Sequence, residues 1–168
     1  MSDAIINKVA NSGLVTVDLE EWVKDIHFEC LDITPLLWQG LALREADLRN
    51  FLKQSPSDLY MNQWVHVIIP QDVIIPQWAH LLLGVYFGQH AKGIFVGDLN
   101  SAREQWLIWS IQNMDNAGYQ DARVIIKGCT SPFVTRQVQM NFALKVLPVV
   151  KSLMFGEPCS TVPLFKRN

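Results

Sequence analysis

The hydrophobic pattern alternates most regularly in the second half of the chain. Val65 to Ile69 (VHVII) is a short, β-branched run ended by Pro70, and it predicts a buried strand. Pro76 to His90 (PQWAHLLLGVYFGQH) is apolar enough for a core helix, with proline suited to its first turn. Ile94 to Val96 predicts a second strand, closed by Gly97-Asp98. Ser101 and Glu104 have the spacing of a capping box, with a helix over Ala102 to Met114. Val124 to Ile126 is a third strand, closed by Gly128-Cys129, and Ser131-Pro132 opens a helix that runs to about Val146. Ser152 to Phe155 is a fourth strand, and Val162 to Phe165 is its hairpin partner across Gly156 to Ser160.

Strands alternating with helices of this length build parallel crossover units. Strands apolar on both sides fit a sheet covered on both faces. The expected class is therefore α/β, with a mostly parallel sheet covered by helices. Residues 61–168 form its core, and residues 1–60 elaborate the same single domain. In that first segment Asp3 to Ala10 suits a short helix, and Leu43 to Gln54 a more charged one. Leu14 to Asp18 and Ile26 to Cys30 alternate with period two, as strands of a small antiparallel sheet do.

Composition sharpens this picture without giving a role. Of 168 residues, 49% are hydrophobic and 18% charged, and the net charge is −2. The charged share lies below the usual quarter, which argues against disorder and for a well-covered sheet or subunit interface. A near-neutral chain with no basic block is a poor general nucleic-acid binder. The most apolar stretch, Val65 to Phe87, is broken by Pro70, Asp72 and Pro76, so no membrane span is expected. The N-terminus lacks the apolar region of a signal peptide. A cytoplasmic protein with reduced thiols is the expectation.

Ligands of an open parallel sheet bind beyond the carboxyl ends of its strands. The residues after the strands are therefore the candidates. Asp98 follows the second strand, Gly128-Cys129-Thr130-Ser131 the third, and Gly156-Glu157-Pro158-Cys159-Ser160-Thr161 the fourth. Cys129, before a helix expected at Pro132, would have its thiolate favoured by the helix N-terminus. The alternative is a small buried apolar residue, the commonest fate of cysteine. Cys159 lies in a polar turn and is expected to be accessible. The two thiols with Glu157 or Asp98 make a mixed S/O donor set for zinc or iron, or a dithiol that carries sulfur. Thr130 and Ser160 flank them as further ligand-binding groups. Cys129 and Arg136 are separated by six residues, one more than in the cysteine phosphatase loop, so that activity is not expected. Cys30 reads as core beside Ile26 and Phe28, and His66 and His80 as core histidines. The six tryptophans fit helix packing or a homodimer interface.

Several stretches resemble the bacterial domain of unknown function 2480 family. They include IINKVANSGLVTVDLE (5–20), GLALREADLR (40–49), IIPQWAHLLL (74–83), VIIKGC (124–129) and KSLMFGEPCSTVPLFK (151–166). The resemblance spans nearly the whole chain, and its motifs fall on the turns with Cys129, Glu157 and Cys159. It carries over no activity and no catalytic residue. It implies a neighbourhood: members are often encoded near SUF-type iron–sulfur cluster assembly proteins, which makes those proteins the expected partners. The best expectation is an accessory protein for cluster assembly. The alternative is a homo-oligomeric scaffold without a bound cofactor.

Overall fold

The computed structural model describes residues 13–128 and 130–168, with backbone alone for Ser57 and Asp58. The helix expected over Asp3 to Ala10 and the thiol of Cys129 lie outside the described residues.

In chain order the first elements are β1 (Leu14–Val17), β2 (Phe28–Asp32), β3 (Leu37–Trp38), β4 (Ala42–Leu43), α1 (Glu45–Gln54) and α2 (Ser57–Tyr60). They are followed by β5 (Trp64–Ile68), α3 (Gln77–His90), β6 (Gly93–Val96), α4 (Leu99–Asn113) and β7 (Arg123–Ile126). The last three are α5 (Arg136–Val146), β8 (Ser152–Glu157) and β9 (Ser160–Lys166). The mixed α/β class and the parallel-dominated pairing agree with the apolar pattern.

The strands divide into two parallel ladders, each in its own compact unit. One unit comprises residues 26–105 and the other residues 1–25 with 106–168. α4 gives its first turns to one and the rest to the other.

In the 26–105 unit the strand order is β2-β5-β6, all parallel. Val65 and Val67 point into a core with Leu48, Leu83 and Phe87, so α1 and α3 cover that face. The opposite face carries aromatics: Trp64 stacks on Phe95 with centroids 5.7 Å apart. His66 is buried on this face, and its Nδ1 lies 3.1 Å from the Gly97 carbonyl oxygen. It is a satisfied core histidine, as its apolar setting predicts.

In the other unit the order is β1-β7-β8-β9, with only the β8–β9 hairpin antiparallel. Val124, Ile126 and Leu153 are buried, as are Val138, Phe142 and Val146 of α5. Phe142 is fully buried and takes edge-on contacts from Trp22 and Tyr119, at 5.8 and 5.6 Å.

The first segment departs from its expected pairing. Leu14–Val17 and Phe28–Asp32 are strands, but each joins a parallel ladder. The small antiparallel sheet is made instead by β3 and β4. Period-two alternation shows that one face is covered and does not specify the partner strand.

Cys30 is a second departure, since it is exposed. Its register partner is the buried His66, but β2 is the outer strand of its ladder. Partial burial, and then the Asp32 and Glu29 carboxylates, hold its thiol above the usual cysteine range.

Candidate functional site

β7 and β8 are adjacent and parallel, with Ile126 opposite Phe155. Neighbouring strands lie about 4.8 Å apart, so chains leaving the ends of both begin side by side. The Gly128 turn and the Glu157–Ser160 turn therefore emerge from one edge of one sheet. Periodicity could not supply this adjacency, because it leaves strand order open. A Cβ at Gly128 would meet the Phe155 ring at 3.6 Å, so Gly128 itself lies beside that β8 side chain.

The second turn is tighter than its sequence suggests. The strands extend to a closing pair, Glu157 and Ser160, which leaves Pro158 and Cys159 as a two-residue loop. Such loops usually require left-handed residues within them. Here Pro158 fixes its own φ near −65°, and the left-handed backbone falls upstream at Gly156, with φ +122°. The carbonyl of Ser160 approaches the place of a Gly156 Cβ to 2.5 Å, so only glycine fits. Cys159 is thereby held at an exposed hairpin tip, with Glu157 and Ser160 exposed at its base.

The helix after the Gly128 turn starts later than expected. Ser131-Pro132 makes a turn closed by the Val134 N–H to the Ser131 carbonyl. The helix begins at Arg136, where the Thr135 hydroxyl accepts the Val138 N–H as an N-cap. Cys129 is therefore six residues from the helix cap in sequence, and the helix expected to open at Pro132 opens at Arg136.

Two features of this edge had only faint sequence signals. Lys127, directly after β7, donates from Nζ to the Asp18 carboxylate beyond β1 at 2.8 Å. The pair ties the ends of two neighbouring strands. A groove of about 350 Å³ also opens beside the turns. Ile126 and Phe155, the paired positions at the strand ends, line it with Val162, Met140 and Leu164. Arg136 is its cation. Cys129 and Arg136 share a strand-turn-helix segment, which was the one signal for that residue.

Thr130 is exposed after the Gly128 turn, and Glu157, Cys159 and Ser160 are exposed on the β8–β9 turn, the two turns following adjacent parallel strands. Asp98 follows β6, in the other ladder. Its Oδ1 accepts the Ser101 N–H at 2.8 Å and caps α4, so Asp98 occupies the role expected of Ser101. That hydrogen bond, the Ser101 hydroxyl and the Asn100 N–H hold its carboxyl below the usual range. Among the described residues no three His, Cys, Asp or Glu side chains converge as a metal-binding group.

The profile of a family described as Protein of unknown function (DUF2480) matches residues 3–167. The chain belongs to this family. No curated protein and no solved structure matches the DUF2480 chain significantly. Among the described residues no helix is long and apolar enough to cross a membrane.

Proposed function

We propose that this DUF2480 protein binds a thiophilic metal ion or sulfur at the paired turns, as an accessory to iron–sulfur cluster assembly. The observation that carries this reading is the in-register pairing of β7 with β8, which sends both cysteine-bearing turns off one sheet edge. Cys129 and Cys159 are the soft donors, and Glu157 supplies a carboxylate. Together they make a donor set suited to iron or zinc. Thr130 and Ser160 offer hydroxyls beside it. Asp98 serves α4 as its cap and is left outside the set. Cys159 at a tip supports transfer to a partner, since a thiol that hands on metal or sulfur must reach another protein's surface. Assembly proteins are the partners that the family's bacterial gene neighbourhood suggests.

Elemental and sulfane-sulfur analysis of anaerobically purified protein tests this. Iron, zinc or persulfide sulfur should accompany the parent chain and be lost from the Cys129→Ser/Cys159→Ser variant. Equal content in the two proteins would reject the site.

A second reading, a homo-oligomeric scaffold, has one observation in its favour. Met140 and Leu144, one helical turn apart on α5, are exposed, as are Val162 and Leu164 on the outer strand β9, with Leu144 at 66%. Exposed apolar patches of this kind mark association surfaces. Light scattering on the parent and a Leu144→Glu/Val162→Lys variant separates the readings: a dimer that dissociates in the variant supports the scaffold, and a monomer throughout removes it.

A further inference from the structure

The opposite edge of the β1-β7-β8-β9 ladder carries a different chemistry. Leu14, Arg123, Ser152 and Lys166 are register partners across the four strands, so they form one row over the sheet. Lys151 precedes Ser152 in the chain. Beside this row lies a hollow of about 450 Å³, within the size range of small-molecule sites. Its apolar surface comes from Met154, Pro163 and Phe165, and its charged surface from Arg123, Lys151 and Lys166.

Among the described residues no acidic side chain lines this hollow. Among the described residues none of the three cations has an ion pair, whereas nearby Arg167 donates to Asp121 at 2.9 Å. Arg123 and Lys166 flank Ser152 in the row and Lys151 precedes it, and three like charges gathered around one hollow repel one another. In a chain of net charge −2, with 16 acids available, this local excess of positive charge stands out. An anion placed among the cations would relieve the repulsion, and the apolar surface would take a hydrocarbon or aromatic body attached to it.

We propose that this hollow binds a small amphipathic anion, with a phosphate or carboxylate head on an apolar body. The site is independent of the thiol turns, which leave the other end of the same strands. The head lies in the Arg123–Lys151–Lys166 triangle, and the body lies against Met154, Pro163 and Phe165.

Calorimetric titration of the full chain with octyl phosphate, below its micelle concentration, tests the proposal. Octanoate, octanol and inorganic phosphate are the comparison ligands. Saturable one-to-one binding of octyl phosphate or octanoate is expected, at least tenfold tighter than that of octanol or inorganic phosphate. Neutralising the head site with Arg123→Gln/Lys151→Gln/Lys166→Gln should weaken it at least tenfold. These side chains are exposed, and an unchanged melting profile would show that the variant is folded. If the triple variant does not fold, Lys166→Gln alone should weaken binding severalfold. Absence of saturable binding, equal binding of octanol, or unchanged affinity in the folded variants would overturn the proposal. Tight binding of inorganic phosphate alone would overturn the amphipathic ligand.

Discussion

Substituting Gly156 by alanine should open the turn that presents Cys159. The residue has φ +122°, and an added Cβ would sit 2.5 Å from the Ser160 carbonyl oxygen. Ordinary contact begins near 3.4 Å, so the carbonyl would have to retreat by about 0.9 Å (3.4 − 2.5). That oxygen is backbone and cannot rotate away as a side chain would. Forcing a residue with a Cβ into this φ costs about 1–3 kcal/mol. Displacing the neighbouring ladder pair costs about 1 kcal/mol more, for one weakened hydrogen bond. The expected loss is about 2–4 kcal/mol, or a urea midpoint lower by roughly 1–2 M at a slope of about 2 kcal/mol per molar. Gly128→Ala is the control on the same edge. Among the described residues its Cβ would meet the Phe155 ring alone, at 3.6 Å, and its φ is not left-handed. Reduced freedom of the unfolded chain should leave that variant unchanged or more stable by up to about 1 kcal/mol. Urea unfolding followed by fluorescence, with thiol titration of the folded proteins, reads both effects. A Gly156→Ala loss below about 0.5 kcal/mol, or an equal loss in Gly128→Ala, would refute the derived hairpin geometry.

Further outcomes follow from the cores and the caps. Phe142→Ala removes a fully buried ring that meets Trp22 and Tyr119, and should cost about 3–5 kcal/mol by thermal or chemical unfolding. Asp32, hydrogen-bonded by the Thr34 hydroxyl and N–H, and Asp98, hydrogen-bonded by Ser101, both have lowered carboxyl pKa values. Their stabilising contributions are therefore complete above the unfolded carboxylate pKa of about 3.9 and vanish as pH falls through the lower folded values. Asp32→Asn/Asp98→Asn should melt below the parent at about pH 7, with the gap closing towards about pH 3, and a gap that widens in acid would contradict the assignment.

The strands and helices were legible because β5 and β7 are short β-branched runs, β8 has a short apolar one (Leu153 to Phe155), and α3 is a long apolar segment opened by a proline. Start signals were less secure where two candidates competed. Pro132 and Ser131 have the composition of a helix start, but Thr135 supplies the hydroxyl that caps α5. Ser101 has the spacing of a cap, but Asp98 reaches the Ser101 N–H first. Cys30 was misplaced because alternation assigns it to the face of the buried Phe28 and does not show that β2 lies at the ladder's edge, where Cys30 is exposed. The site was legible as two Gly-bearing turns and no further. Their adjacency depends on β7 choosing β8 as its neighbour, a pairing between segments far apart in sequence. The left-handed Gly156 and the Arg136 groove likewise exist only once the hairpin and α5 are in place.

The central claim is that the turns carrying Cys129 and Cys159 meet. Brief treatment of the native, reduced protein with a short bifunctional thiol reagent, followed by peptide mass spectrometry, tests it most directly. The account predicts one dominant intramolecular product, Cys129 linked to Cys159, with Cys30 singly modified. Singly modified Cys129 and Cys159 with no link between them, or a dominant link to Cys30, would contradict it.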